Sequence, residues 1–267
     1  AERRGLKVDV AEGPLFPERR VKSDAEIAQI RLGNAAAAAG FAVVEGMLGA
    51  AEVEADGSLT LDGEPLTSER VRAQIGLACM RLGAFAFGTI LAGGAQACDP
   101  HCEGSGPLRA GELIIADIFP RVADSGYHGD MTRTYLKGRP TPEQSRLVET
   151  VAEGQMLALA LIRGGADGRA IHYAVTDFFT DKGFPTEKRG GRNVGFFHGL
   201  GHGLGLDVHE SPRMNRSGAP LATGNVVTVE PGLYYPGIGG CRIEDVVRVR
   251  DTDYEMLSSH PYGWVIG

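Results

Sequence analysis

The sequence predicts an α+β protein, with helices concentrated early and sheet late. Two observations carry that reading. Helix-start signals dominate the chain up to about residue 183, after which it is strand-rich, and the regular strand–helix–strand alternation of a doubly wound fold is missing. In addition, no G-x-G-x-x-G follows a strand, and neither a P-loop nor G-x-S-x-G occurs. Nucleotide binding and serine hydrolysis therefore have no motif to stand on.

Taken in order, the elements follow from local chemistry. SDAEIAQI opens a helix by the S-x-x-E capping pattern of Ser23 and Glu26, and apolar positions continue to about Met47. Residues 53–65 alternate and turn at Asp62-Gly63, which predicts a small hairpin. A second helix is expected over Ser68–Leu82. LIIADIF (113–119) and GDMTRTYL (129–136) read as strands joined by a turn near Asp124-Ser125-Gly126. TPEQ starts another helix, with Thr141 as cap and Pro142 at the first position, reaching about Ile162. A further helix covers 169–182 and stops at Gly183. Strands are then expected over 194–209, 225–235 and 240–250.

Composition narrows the class. The 267 residues suffice for one large domain or two ordinary ones, and 43% hydrophobic content is ample for a core. The net charge of −7 and the lack of a lysine- or arginine-dense run argue against nucleic acid or an anionic membrane as partner. The apolar window 32–51 contains Asn34, Glu45 and four glycines, so it reads as an Ala-rich soluble helix rather than a membrane span. No signal peptide is recognisable, and four scattered cysteines (Cys79, Cys98, Cys102, Cys241) point to a reducing, cytoplasmic setting. CDPHC (98–102) lacks the second Cys/His pair a structural zinc would need. The chain begins at Ala1, and residues 1–22 read as a short strand and Pro-bearing linker left from an upstream domain.

FFHGLGHGLGLDVHE (196–210) holds His198, His202 and His209. His198 and His202 have the spacing of a zinc-protease helix, but four alternating glycines each cost a helix ~1 kcal/mol, and the glutamate of that motif is absent. In an extended strand the two imidazoles would lie ~13 Å apart. They cannot then share one ion at bond lengths of ~2 Å, so at most one is a direct ligand of a given metal.

Acids occur where apolar residues are expected. Asp117 interrupts LIIADIF, Glu230 interrupts NVVTVEPG, Glu244 interrupts GCRIEDVV, and Asp130 lies in YHGDMTRT. An unpaired buried carboxylate costs several kcal/mol, so each needs a cation, a proton or donors. Strand-end solvation or salt bridges to Arg133, Arg242 or Arg248 would satisfy any one of them. For the set of four, two divalent cations balance the charge, and oxygen donors with one imidazole suit Mn²⁺, Fe²⁺, Co²⁺ or Zn²⁺. Two such ions can generate hydroxide near neutral pH and polarise a carbonyl, which is hydrolytic chemistry.

The ordered set DIF…GYHGDMTRTY, HGLGHGLGLDVHE, VEPGLYY and RIEDVV resembles the metallopeptidase family of Xaa-Pro aminopeptidases, prolidases and methionine aminopeptidases. The resemblance covers residues 23–267 and implies the pita-bread fold, a curved antiparallel sheet covered by helices, as one catalytic domain. It implies that Asp117, Asp130, His202, Glu230 and Glu244 hold two divalent ions, Mn²⁺ foremost, with Asp130 and Glu244 bridging them. Glu230 would also act as general base, His198 and His209 would face the scissile carbonyl, and His101 and Arg242 would meet substrate or, for Arg242, brace a ligand or form a plain salt bridge. His128 shares a strand face with Asp130 and either backs that residue or is a solvated hairpin histidine, while His172 and His260 are expected to be structural.

The sequence departs from the family in one place: the hairpin between Asp117 and Asp130 is two residues longer, around Pro120 to Ser125, which bears on the substrate rim more than on the metals. The histidine pattern and DMTRT resemble the proline-specific branch, whereas YHGD and the chain length resemble the methionine-specific one. The expected function is hydrolysis of Xaa-Pro peptide bonds by metal-bridged hydroxide, with methionine aminopeptidase as the alternative and a non-catalytic binding module as the alternative of another class. The resemblance further implies a homodimer.

Overall fold

The computed structural model describes residues 16–267; the expected short strand near residue 8 lies outside them. Pro17–Arg20 forms a 3-10 turn. Ser23 caps helix α1 (Asp24–Ala50) through the expected box: its Oγ accepts from the Glu26 N–H, and Glu26 Oε2 accepts from the Ser23 N–H at 2.8 Å. α1 is long and apolar enough to cross a membrane. It is nevertheless a core helix here, with Ile30, Ala36, Phe41, Val44 and Leu48 fully buried against protein.

Short strands β1 (Glu52–Val53), β2 (Leu59–Leu61) and β3 (Glu64–Pro65) make a small antiparallel sheet that turns at Asp62-Gly63, where both residues have positive φ. Thr67 caps α2 (Ser68–Arg81). Strands β4 (Ala84–Phe85), β5 (Ile90–Gly93), β6 (Ile114–Ile118), β7 (Arg121–Val122) and β8 (Met131–Lys137) follow. Thr141 and Gln144 box the start of α3 (Pro142–Leu161), and Asp167 caps α4 (Gly168–Asp181).

The rest is strand: β9 (Glu187–Arg189), β10 (Arg192–Val194), β11 (Gly201–Gly203), β12 (Glu210–Met214), β13 (Val226–Val229), β14 (Gly232–Tyr235), β15 (Gly239–Arg242), β16 (Asp245–Val249), β17 (Tyr254–Met256) and β18 (Val265–Ile266). A five-stranded sheet has the order β12-β11-β13-β16-β17, and a four-stranded sheet the order β18-β8-β6-β5. Pairings are antiparallel except β18 with β8. Each sheet is backed by one helix pair. α1 and α2 close an apolar core over β5, β6 and β8 with Phe41, Leu91, Ile118 and Tyr135. α3 and α4 close another over β13 to β16 with Leu147, Phe179, Val229 and Val247.

Three expected strands are interrupted, each beside a residue of interest. Within 194–209 only Gly201–Gly203 is a strand apart from the end of β10, and the register shifts between His202 and Gly203. The run 225–235 breaks at Glu230-Pro231 between β13 and β14, and 240–250 breaks at Ile243-Glu244 between β15 and β16. Because β13 and β16 pair in one sheet while β14 and β15 pair in another, the chain changes sheets at both glutamates. They sit in the seam rather than inside continuous strands.

The close glycines have a steric cause. A Cβ on Gly201 would lie 2.0 Å from the Thr228 carbonyl oxygen, and one on Gly203 would lie 2.3 Å from that of Ser211. Gly33 of α1 likewise meets Gly129 at a distance only two glycines allow, since a Cβ on Gly33 would be 2.3 Å from the Gly129 nitrogen.

Candidate metal centre

Strand register assembles the acids. Asp117 of β6 is paired with Thr132 of β8, and Thr132 forms a lone bridge with Glu244, so the three residues lie in a row across the strands. Val229 pairs with Asp245 as the last step of the β13–β16 ladder, which leaves Glu230 and Glu244 facing each other where both strands break. Asp130 sits one residue before β8, its N–H donating to Asn34 Oδ1 of α1 at 2.9 Å.

Ligand-type atoms of Asp130, His202 and Glu244 lie within 4.8 Å of one another, and all three residues are buried. Asp117 and Glu230 line the same cleft but fall outside that close group. Asp117 Oδ2 accepts from Arg242 Nη2 at 2.7 Å, and Glu230 Oε1 faces His202 Nε2 at 3.1 Å. His202 Nε2 is also 3.8 Å from Asp130 Oδ2. His202 Nδ1 donates to the Gly203 carbonyl at 3.1 Å, which turns Nε2 toward the acids, the arrangement a metal-binding imidazole uses.

Burial and mutual repulsion act on the acids. Asp130 is pushed well above the usual carboxylate range, first by burial and then by the charges of Glu244, Asp117 and Glu230. Glu244 is raised in the same way, by burial and then Glu230 and Asp117. Asp117 is raised by burial despite Arg242. Burial also works on Glu230, but the hydrogen bond and charge of His202 outweigh it and bring the carboxyl to about 2.

The donor set fits divalent cations. Asp117, Asp130, Glu230, Glu244 and His202 face one cleft of about 580 Å³, and of the guanidiniums lining it Arg242 pairs with one of these acids, Asp117. Asp117 Oδ1 is buried with no hydrogen-bond partner among the described residues, a lone pair aimed at something the protein does not supply.

The other residues singled out from the sequence are placed as follows. His198 and His209 both line the cleft. His198 Nδ1 donates to the Gly199 carbonyl at 2.8 Å, and Nε2 is 2.9 Å from the Tyr234 hydroxyl. Burial pushes the His198 imidazole down to about 4, so Nε2 accepts from Tyr234. His209 folds back until its ring is 4.2 Å from that of His202, edge to face; seven residues of continuous strand would have separated them by ~23 Å. Desolvation in the cleft, then His202 and Arg213, push His209 down to about 4. His101 is exposed at the rim.

Arg242 braces. Its Nη2 holds Asp117, Nη1 donates to the Tyr234 hydroxyl at 2.8 Å, and Nε donates to Thr132 Oγ1 at 3.3 Å. His128 is half-buried, with Nδ1 3.3 Å from the Phe119 carbonyl. His172 is buried among aromatic rings and His260 Nε2 meets Glu45 at 2.8 Å, both outside the cleft. Cys98 and Cys102 are free thiols.

Sequence reasoning missed Tyr234, which links His198 to Arg242, and Thr132, whose Oγ1 donates to Glu244 Oε2 at 2.7 Å. Both stand inside the quoted stretches VEPGLYY and GYHGDMTRTY, where only acids and bases drew attention. It also missed Arg213 and Asn215 in the cleft wall. Arg213 pairs across the ladder with His202, a neighbour that no sequence spacing could indicate.

Residues 28–251 match the model of Metallopeptidase family M24. The chain belongs to that family. It is 32% identical over 175 residues to the Xaa-Pro dipeptidase of Pyrococcus furiosus, covering 65% of this chain and 47% of that protein. To the uncharacterized peptidase YqhT of Bacillus subtilis it is 35% identical over 182 residues, 67% of this chain and 49% of that one. It spans about half the length of these relatives. The crystal structure of X-Pro aminopeptidase from Thermotoga maritima superposes with a TM-score of 0.80 at 27% identity, covering 94% of this chain and 66% of that chain. The M24 chain therefore has the pita-bread fold of the Xaa-Pro members, as its motifs suggested.

Proposed function

We propose that this M24 chain is the catalytic part of a metal-dependent exopeptidase that hydrolyses Xaa-Pro bonds. The observation that carries the reading is the convergence of Asp130, His202 and Glu244 within 4.8 Å, with Asp117 and Glu230 in the same cleft wall. Those five residues would hold two divalent cations, Mn²⁺ foremost. When bound, the cations supply charge that polarises the scissile carbonyl and makes water acidic enough to act as a nucleophile near neutral pH. Asp130 and Glu244, both buried and both raised well above the usual carboxylate range, would gain most from that charge.

The chain's own residues do the rest. Glu230, ionised and only 16% exposed, takes the proton of the attacking water and returns it to the departing proline nitrogen. His209, neutral and placed against His202, can donate a hydrogen bond to the oxygen that becomes negative on attack. His198 joins Tyr234, Arg242 and Asp117 in one hydrogen-bonded line along the cleft wall. Proline presents a tertiary amide with no N–H, so the pocket must recognise ring shape, and Phe119, Ile90 and Val208 provide apolar wall for it. Arg213 and Asn215 offer partners for a polar group of the peptide.

Residues 1–22 belong, on this proposal, to the junction with an upstream domain, the protein acts as a homodimer, and its setting is the cytoplasm. The greater length of the relatives, of which this chain spans about half, supports the junction, and the four free cysteines support the cytoplasmic setting. The test is metal analysis of the purified chain together with hydrolysis of a Xaa-Pro dipeptide, a longer Xaa-Pro peptide and a Met-Ala peptide with added Mn²⁺ or Co²⁺. Metal uptake with activity confined to Xaa-Pro substrates is expected; cleavage of Met-Ala alone would reassign specificity, and no metal uptake would leave a binding module.

A further inference from the structure

Behind the carboxylates, on the side away from the cleft, lies a buried polar cluster that the reaction itself does not use. Its centre is the ion pair of Arg133 and Asp245, 2.9 Å apart, with side chains 3% and 2% exposed. Asp245 Oδ1 accepts from Arg133 Nη2 and from Ser258 Oγ at 2.7 Å, and Oδ2 accepts from Gln155 Nε2 at 3.1 Å and from the Tyr262 hydroxyl at 2.6 Å. All the N–H groups of Arg133 are engaged. Nη1 donates to the carbonyls of Thr132 at 2.9 Å and Glu244 at 2.8 Å, Nη2 also donates to that of His260 at 2.9 Å, and Nε to that of Pro261 at 3.2 Å. The guanidinium lies 4.5 Å from the centre of the Tyr262 ring.

Two of those acceptors are the backbone of Thr132 and Glu244, the residues whose side chains meet at the metal centre. The same segment is tied to Asp130 by a separate route. Asn34 is 2% exposed; its Oδ1 accepts from the Asp130 N–H and its Nδ2 donates to the Leu257 carbonyl at 3.1 Å. Residues 257–262 thus reach Asp130 through Asn34, and Glu244 through Arg133 and Asp245. These are the two carboxylates that come within 4.8 Å of each other beside His202.

We propose that the segment Leu257–Tyr262 is a positioning clamp for the metal centre, fixing the backbones of Asp130 and Glu244 so that their carboxylates stay close despite their repulsion. The proposal rests on the metal reading above. A fully satisfied buried network is rigid, and groups that orient ligands typically change metal affinity about 10- to 100-fold when removed. Ser258 and Tyr262 are positioning residues in this account, since neither touches the cleft.

The test uses the full chain stripped of metal, as wild type, Tyr262→Phe, Ser258→Ala and the double variant. Each is titrated with Mn²⁺, following free Mn²⁺ by electron paramagnetic resonance, and each is melted without metal. Tyr262 is half exposed and loses only a hydroxyl, so Tyr262→Phe keeps the test usable if the double variant does not fold. The expected result is Mn²⁺ affinity weakened about 10-fold or more in the single variants. Affinity within twofold of wild type, even with a lower melting temperature, would overturn the clamp and leave the cluster as fold stabilisation only. A wild-type chain that takes up no Mn²⁺ would overturn the metal reading and the clamp together, which separates the two failures.

Discussion

Glu230 is the acid at which the electrostatics of the cleft diverge. Three neighbouring carboxyls are raised, while Glu230 is held down to about 2 by His202 against its own burial. Of the four acids it is the one held in the ionised form, which is the form that can take a proton. Replacing it by the isosteric Glu230→Gln keeps volume and removes the proton acceptor. Turnover of an Xaa-Pro substrate should fall by ~10²–10⁴-fold with KM little changed. Steady-state kinetics at saturating Mn²⁺ give the answer, and near-normal turnover would remove Glu230 as base. At this scale the sequence was informative for acids and imidazoles, because a carboxylate within apolar residues is conspicuous. It was silent on Thr132 and Tyr234, because a hydroxyl becomes specific only when its partner across the strands is known. The role of Arg242 stayed open for the same reason, until Asp117 appeared at 2.7 Å.

Elements bring the acids together by ending in the right places. β13 stops before Glu230 and β16 starts after Glu244, so the strand breaks are where the chain leaves one sheet for the other. Capping signals located two helix starts, since Ser23 and Thr141 accept hydrogen bonds from the first turns they precede; Thr67 and Asp167, not singled out from the sequence, cap the other two. Periodicity ran the late strands too long, because an apolar run reads alike whether it crosses a seam or not. α1 positions Asp130 through the contact of Gly33 with Gly129. Gly33→Ala would suit helix propensity by ~1 kcal/mol. The added Cβ would nonetheless overlap backbone that cannot move aside, so a net loss of about 1–3 kcal/mol is expected. Urea denaturation of the metal-free variant measures it, and a stability equal to or above wild type would show that the helix can withdraw without cost.

Across the whole molecule, the acid limit of stability should be set in part by a histidine outside the cleft. His172 of α4 is buried beside Phe196 and Tyr173, its Nδ1 has no partner among the described residues, and burial followed by the charge of Arg216 pushes the ring down to about 4. The ordinary imidazole in the unfolded chain titrates near 6.5, so above that pH neither state is charged. Below it the unfolded chain takes up the proton first, and stability is lost as pH falls from about 6.5 to 4. Over that interval the loss attributable to this group is on the order of 3 kcal/mol. His172→Phe should flatten the acid limb of the stability curve by a comparable amount, read from denaturant midpoints between pH 7 and pH 4. An unchanged limb would show that the ring protonates in place.

The stretch ahead of α1 is fastened to the loop that delivers His209. Lys22, buried, holds Glu210 at 2.8 Å, and Arg19 reaches both Glu210 and Asp207. The imidazole at the cleft mouth therefore has its bearings in residues nearly two hundred positions earlier in the chain. Loosening those ionic stitches, for instance by loss of the Lys22 or Arg19 charge, would free the loop that carries that ring.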